Sequence, residues 1–145
     1  MTVIAWDAKT KTLAVDSLFT SGDRKTYGQK FKLLEDGRAV VVFAGDVIQG
    51  RKAISYIEQN KPLTHEMISG ATIVVLYLVG RRRGRLAVYE DSPNVALVLQ
   101  SEAWGTGSDF AIAAMDAGAS AEEAVKIACK RSASCGGKIH VFRPE

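Results

Sequence analysis

The chain has 145 residues, which suits one domain that buries its own hydrophobic core without a metal or disulfide. Hydrophobic residues make up 47% and charged residues 24%, so a disordered, collagen-like or coiled-coil chain is excluded. The net charge is +3, but four of the cations lie in one short segment, Arg81–Arg85. Because the basic charge is local, the composition argues only weakly for nucleic acid as a partner.

The predicted elements come in blocks rather than in strict alternation. Strands are predicted at 2–7, 12–19, 29–35, 38–44, 71–79, 85–90, 95–101 and 138–142. One amphipathic helix is predicted at 46–60, and two more begin at Asp109 and Ala121. The order of strands, helix, strands, helices and strand favours an α+β layered domain over alternating βαβ units.

Local signals mark two element boundaries. Asp36-Gly37 predicts a tight type I′ hairpin turn between the third and fourth strands. Ser120 and Glu123 have the spacing of a capping box, which predicts a helix start at Ala121. A single domain over 1–145 is expected, since no linker or repeat is visible.

The sequence argues against a metal or redox site, a membrane span and a signal peptide. Cys129 and Cys135 lie six residues apart, which is neither a zinc-ligand nor a redox spacing, so no metal or cofactor is expected. The longest apolar run, 71–80, is too short to span a bilayer. The N-terminal residues lack the basic and apolar regions of a signal peptide. We therefore expect a cytoplasmic protein with reduced cysteines and no membrane partner.

Thr2 is the first candidate for chemistry. Removal of Met1 would leave a free N-terminal threonine whose hydroxyl can attack while its own α-amine accepts the proton. An α-amine has an ordinary pKa of about 7.7–8.0, which suits a general base. Most threonines after an initiator methionine do no catalysis, so this position alone is a weak signal.

Asp16 and Lys30 are a second candidate, one on each of two neighbouring predicted strands. Beside a threonine hydroxyl, a lysine ammonium would favour the deprotonated oxygen and lower the pKa of the amine. By spacing alone, the favoured interpretation is a surface salt bridge worth under about 1 kcal/mol.

Two turns lead into predicted helices. Gly45 ends a strand, and the free N–H groups at the following helix start can stabilise an oxyanion, although a plain turn glycine is the default interpretation. Ser108 follows Gly105-Thr106-Gly107 and is either a helix N-cap or part of a small anion-binding turn.

The ordered set of segments resembles the proteasome β-subunit family and its bacterial relative HslV, the N-terminal-nucleophile threonine peptidases. The segments are T-x-I-A, L-A-V-D-S-L-F-T, Q-K-F, F-A-G-D, W-G-T-G-S, M-D-A-G-A-S-A-E-E-A and S-C-G-G-K-I-H-V. The resemblance implies a four-layer αββα sandwich. Only ten residues join helix 46–60 to strand 71–79, where the family has a long helix, so a reduced helical layer is expected.

The resemblance implies catalytic roles for five residues. Thr2 matches the nucleophile, and Asp16 and Lys30 match its charge pair. Gly45 matches the oxyanion glycine. Ser108 matches the serine that helps to orient the amine of the nucleophile.

The resemblance also implies substrate contacts. Thr20 matches the threonine whose backbone binds the substrate strand. Phe19, Phe43 and Val47 match or adjoin positions that line the specificity pocket, which implies a preference for apolar side chains.

Two positions depart from the family pattern. Ser132 stands where proteasome subunits usually carry an aspartate that supports the amine. Cys135 stands where they usually carry a second orienting serine. The carboxylate that supports the amine in the family is therefore missing at position 132.

Three functions remain. The favoured one is a threonine endopeptidase that cleaves unfolded polypeptide inside a homo-oligomeric ring, fed by an AAA+ ATPase unfoldase. The second is a catalytically inactive ring subunit, which Ser132 and the shortened helical layer favour. The third is nucleic-acid binding through Arg81–Arg85, which is unfavoured because no aromatic side chain lies in that turn.

Overall fold

The computed structural model describes residues 2–145. In chain order the elements are β1 (Val3–Asp7), β2 (Thr12–Val15), β3 (Leu18–Ser21), β4 (Arg24–Tyr27), β5 (Phe31–Leu33), β6 (Ala39–Gly45), α1 (Val47–Glu58), α2 (His65–Ile68), β7 (Ala71–Tyr77), β8 (Leu86–Glu90), β9 (Ala96–Val98), β10 (Glu102–Gly105), α3 (Ser108–Asp116), α4 (Ala121–Arg131) and β11 (His140–Phe142). Within this described range, no helix is both long enough and apolar enough to cross a membrane.

These elements form two compact units. The first comprises residues 2–30 and Leu99–Arg143, and the second comprises Phe31–Val98 and Pro144–Glu145. The single domain predicted over 1–145 stays a prediction, because a division by contacts does not distinguish separate domains from two halves of one.

The first unit is built on an antiparallel sheet with the strand order β10-β1-β2-β11, to which the β3–β4 hairpin adds a separate ladder. Helices α3 and α4 pack against β1, and α4 also packs against β2. The interface consists of small side chains such as Ala5, Ala14, Ala124 and Ala128, all fully buried. Their small size lets the helices lie close to the sheet, which fixes the backbone of β1 and its first residue.

The second unit is a five-stranded antiparallel sheet with the order β5-β6-β7-β8-β9. Helix α1 packs against β6 and β7 through a face that includes Gly50, Ala53 and Ile54. A Cβ at Gly50 would lie 2.5 Å from the Phe43 ring, so the glycine allows this close approach. Only the four-residue α2 stands between α1 and β7, as the short connector predicted.

Several boundaries differ from the sequence predictions. The predicted strand 12–19 is two strands, because the chain leaves the β2 ladder at Asp16-Ser17 and β3 pairs with β4 instead. Strand 95–101 is shorter, and the pattern missed β4 and β10. These strands are short, and their pairing is set by tertiary contacts rather than by a strong local pattern.

The hairpin predicted at Asp36-Gly37 is confirmed, since β5 pairs with β6, but its turn is not of type I′. Such a turn needs a positive φ at both central residues, whereas only Gly37 has one, at +71°. Asp36 instead accepts hydrogen bonds from the backbone and guanidinium of Arg38, at 3.0 and 2.8 Å. The capping box at Ser120 and Glu123 is confirmed, with both reciprocal bonds present.

Candidate active site

Three polar side chains of the first unit meet in the interior at the start of β1. Lys30 Nζ donates to Thr2 Oγ1 at 2.9 Å and to Asp16 Oδ1 at 2.8 Å. The exposed fraction is 3% for Thr2 and 0% for both Asp16 and Lys30. The surface salt bridge that the spacing favoured is therefore wrong, because the pair is buried and includes the threonine hydroxyl.

Asp16 lies here because β2 ends one residue before it. Its backbone N–H donates to the Val3 carbonyl at 3.4 Å, and Oδ1 accepts from the Val3 N–H at 3.2 Å. Its other oxygen, Oδ2, accepts from the Gly136 N–H at 3.0 Å. Two backbone donors and one ammonium thus compensate the burial of this carboxylate and fix its orientation.

Lys30 precedes β5 and extends over the ring of Phe19, with Nζ 5.2 Å from the ring centroid. Burial lowers the pKa of Lys30, and the hydrogen bond and charge of Asp16 act in the opposite direction. A lysine in this position holds a proton next to Thr2 Oγ1 and stabilises negative charge that develops on that oxygen.

Glycines fix the backbone of Thr2. Gly105 has a φ of +97°, and a Cβ there would collide with the Thr2 carbonyl oxygen. The Gly107 N–H donates to the same oxygen at 3.4 Å. A Cβ at Gly107 would lie 3.0 Å from Cys135 Sγ, so this turn accepts no side chain without movement. The Gly105–Gly107 turn therefore holds the residue that carries the candidate nucleophile.

Ser108 is the first residue of α3, and Gly107 occupies the N-cap position. The alternative that Ser108 is an N-cap is therefore wrong. The side chain is half-buried at the helix start that follows the Thr2-binding turn. Its implied role towards the amine of Thr2 stays a prediction.

Two thiols lie next to this cluster. Cys135 is buried, at 5% exposed, and immediately precedes the Gly136 that donates to Asp16. Hydrogen bonds from Cys129 and Ser132 lower the pKa of Cys135 to about 7, against the effect of burial. The same bond to Cys135, together with burial, raises the pKa of the half-buried Cys129. Nothing in the sequence spacing indicated the hydrogen bond between Cys129 and Cys135.

The predicted substrate contacts divide between the units. Thr20 lies exposed in β3, opposite Lys25 in the hairpin ladder, and Phe19 precedes it, half-buried under Lys30. Phe43 is buried in β6 of the second unit, at 2% exposed, and Val47 begins α1. Their role as substrate contacts stays a prediction.

Gly45 also belongs to the second unit. It ends β6 with a φ of +99°, and a Cβ there would collide with the Gly70 carbonyl oxygen. Asp46 follows as the N-cap of α1 and accepts from the Gln49 N–H at 2.8 Å. Gly45 is thus required by the backbone at this strand-to-helix turn, and its oxyanion role stays a prediction.

The described residues contain no group of three or more His, Cys, Asp or Glu side chains that could hold a metal ion. The functional residues that the sequence analysis missed are glycines: Gly105 and Gly107, which hold Thr2, and Gly136, which holds Asp16. The sequence shows the run G-T-G-S and the pair Gly136-Gly137. It does not indicate what these glycines contact, because Thr2 and Asp16 are far away along the chain.

Solved structures match this arrangement over almost the whole chain. BPH from Thiobacillus denitrificans, solved in complex with epoxomicin, superposes with a TM-score of 0.74 at 17% identity, over 98% of this chain and 97% of that one. The chain has the fold of the proteasome-like proteins. A second structure of BPH from the same organism gives a TM-score of 0.73 at 16% identity, over 98% of this chain and 96% of that one. Eukaryotic HslV from Trypanosoma brucei gives 0.72 at 18% identity, over 98% of each chain.

At these identities the likeness shows the fold, and it confirms the predicted α+β sandwich of the proteasome and HslV type. No protein-family model matches the sequence. No curated protein matches it significantly. The likeness to these solved structures is therefore a likeness of fold, which the two sequence comparisons do not detect.

Proposed function

We propose that the chain is a threonine endopeptidase subunit that hydrolyses peptide bonds with Thr2 after removal of Met1. Met1 itself lies outside the described residues. The observation that carries the proposal is the 2.9 Å hydrogen bond from the buried Lys30 ammonium to Thr2 Oγ1. Burial of the Lys30 ammonium carries a desolvation cost. Activation of the Thr2 hydroxyl as a nucleophile would explain why the lysine is nevertheless held there by Asp16.

The proposed reaction begins with attack of Thr2 Oγ on the scissile carbonyl carbon. The hydroxyl proton passes to the free α-amine of Thr2, and a tetrahedral oxyanion forms. The C–N bond then breaks, and the leaving amine takes the proton from the α-ammonium. A water then attacks the resulting ester while the same amine accepts its proton. The ester C–O bond breaks, Thr2 Oγ takes the proton back from the α-ammonium, and the acid is released.

Lys30 and Asp16 have distinct roles in this scheme. The Lys30 ammonium lowers the pKa of the hydroxyl and, by like-charge repulsion, that of the nearby α-ammonium. Asp16 keeps Lys30 charged and oriented through the 2.8 Å ion pair. Since Asp16 also binds the Val3 N–H, it ties the lysine to the segment that carries the nucleophile.

The remaining parts of the proposal rest on the sequence resemblance together with the shared fold. These are the unfolded polypeptide substrate, the homo-oligomeric ring, the AAA+ unfoldase and the cytoplasmic location. The same basis supports the Gly45 amide as oxyanion donor, Ser108 as an orienting residue, and Thr20, Phe19, Phe43 and Val47 as substrate contacts.

The proposal is tested with a fusion whose cleavage leaves Thr2 as the first residue. Cleavage of a fluorescent unfolded polypeptide is measured for the parent chain, Thr2→Ser and Thr2→Ala, with circular dichroism to check folding. The expected result is turnover for the parent and the serine variant and none above background for the alanine variant. Turnover by folded Thr2→Ala would overturn the proposal.

Epoxomicin offers a second readout, since BPH of the same fold was solved with it. We expect it to bind the processed chain and not the Thr2→Ala variant.

A second candidate function is a catalytically inactive subunit of the same fold. Ser132 favours it, because a hydroxyl replaces the carboxylate that the family uses to support the amine. Under this hypothesis the processed chain is folded but shows no turnover, whatever residue occupies position 2.

A further inference from the structure

The second unit has an open groove of about 640 Å³ beyond the C-terminal end of α1. Strand register places Val75 and Tyr77 of β7 on the same face of the sheet as Tyr89 of β8, since Val75 lies opposite Ala87. Helix α1 ends at Glu58, and Lys61 and Pro62 of the following connector also line the groove. The groove therefore occupies the sheet face next to the shortened connector.

The groove carries positive charge. Four of its lining residues are cations, Arg38, Lys61, Arg81 and Arg82, and none of its lining residues is acidic. Arg82 lies over the Tyr77 ring at 5.5 Å, so its guanidinium is held at the edge of the groove. Arg38 is partly neutralised by Asp36 at 2.8 Å, in an exposed pair. Arg81 and Arg82 come from the turn that the sequence singled out and that the proposed peptidase reaction does not use.

The apolar lining of the groove, its floor, is mostly aliphatic. It consists of Leu34, Ala39, Ile57, Pro62, Val75 and Val79 beside the rings of Tyr77 and Tyr89. This surface can accept apolar side chains, whereas base stacking is limited because only two rings line it and Arg82 covers one face of Tyr77. An apolar floor with a cationic rim complements a polypeptide segment that combines apolar and acidic side chains.

We propose that this groove, defined by Arg38, Lys61, Tyr77, Arg81, Arg82 and Tyr89, binds an acidic segment of a partner polypeptide. Apolar side chains of the segment occupy the aliphatic floor, and its carboxylates pair with Arg81 and Arg82. The binding is independent of Thr2 and of the proposed peptidase activity.

The test uses fluorescence anisotropy with labelled twelve-residue peptides that combine four glutamates and four leucines in different orders. The same peptides with glutamine in place of glutamate measure the contribution of charge. Arg81→Ala/Arg82→Ala is compared with Arg83→Ala/Arg85→Ala, which removes the same charge from the same turn but from residues that do not line the groove.

We expect the acidic peptides to bind at least tenfold more tightly than the glutamine peptides. The Arg81/Arg82 double variant is expected to lose at least tenfold in affinity, and the Arg83/Arg85 control less than twofold. An equal loss in both variants, no binding of any acidic peptide, or tighter binding of a twelve-nucleotide single-stranded DNA would each overturn the proposal.

Discussion

The two units differ in their ion pairs: among the described residues a buried pair occurs only in the first unit, which also has the exposed pair Lys126–Glu122. In the first, Asp16 and Lys30 form an ion pair with side chains at most 1% exposed. In the second, Lys32 and Glu58 pair at 2.6 Å with Lys32 half exposed, and Arg38 pairs with Asp36 at the surface. Among the described residues, one ion pair between an acidic and a basic side chain is buried and the others are at least partly exposed.

The difference bears on the proposed role of the buried pair. Exposed pairs cost little to form and contribute little to stability. A buried pair carries a large desolvation cost, and an apolar replacement of similar volume is often as stable. The buried Asp16–Lys30 pair is thus poorly explained by stability, and this supports the proposal that Lys30 acts on Thr2 Oγ1.

The largest expected effect on stability comes from breaking the buried pair. Asp16→Ala leaves the Lys30 ammonium in the interior and is expected to cost about 3–5 kcal/mol of unfolding free energy. Glu58→Ala, which breaks the exposed pair with Lys32, is expected to cost under about 1 kcal/mol. Urea denaturation measures both free energies. Similar costs for Asp16→Ala and Glu58→Ala would show that the buried pair and the exposed pair do not differ energetically.

The next effect concerns catalysis. Lys30→Met removes the ammonium from Thr2 Oγ1 and is expected to reduce kcat/KM of the processed chain by about 10²–10³-fold. Lys32→Met is the matched control from an exposed pair, and its activity is expected to stay within about twofold of the parent. Equal losses in the two variants would show that the buried ammonium has no special role in turnover.

A gain of activity is expected from Ser132→Asp. A carboxylate at this position supplies the group that the resemblance assigns to supporting the amine, and one added charge-assisted hydrogen bond corresponds to about tenfold in kcat/KM. Ser132→Asn has a similar shape without the charge and is expected to give no gain. If the aspartate variant is no faster than the asparagine variant, the missing carboxylate does not limit this chain.

The contributions of Lys30 and Lys32 to the unfolding free energy are expected to change with pH in opposite directions. Burial lowers the pKa of Lys30, so between this lowered value and 10.5 the unfolded chain binds a proton that the folded chain does not. The Lys30 contribution to the unfolding free energy therefore rises with pH in that window. The pKa of Lys32 is raised, mainly by its bond to Glu58, so its contribution is lost as pH rises through the raised value. The unfolding free energies of the parent, Lys30→Met and Lys32→Met are measured by urea denaturation at pH values below and above 10.5. The difference between the parent and each variant isolates the contribution of that lysine.

The smallest effects are expected at the helix caps, where the units behave alike. Ser120 caps α4 in the first unit, and Asp46 caps α1 in the second. Replacement of either by alanine is expected to cost about 1 kcal/mol of unfolding free energy. Thermal or urea denaturation is the check, and a cost several times larger at one cap would show that it also takes part in tertiary packing.

Features with strong local signals were predictable from the sequence. The capping box placed the start of α4 at Ala121, and the apolar run at 71–79 predicted β7 to within two residues at its end. The fold class followed from the element order together with the resemblance, and the similar structures confirm it.

The depth of the site was not predictable in the same way. Asp16 accepts a hydrogen bond from Gly136, 120 residues away, and the buried Lys30 places its ammonium over the Phe19 ring. Spacing describes neighbours along the chain and therefore favoured a surface pair. Only the assembled first unit shows that the acid, the lysine and Thr2 share one interior position.

The central claim is that Thr2 acts as an N-terminal nucleophile. The most direct measurement is intact mass spectrometry of three forms, the chain with Thr2 as its first residue, the chain that retains Met1, and processed Thr2→Ala. Each is measured before and after reaction with an electrophilic peptide that captures an N-terminal threonine. One equivalent of adduct is expected on the first form and none on the other two. An unmodified first form, or equal modification of all three, would contradict it.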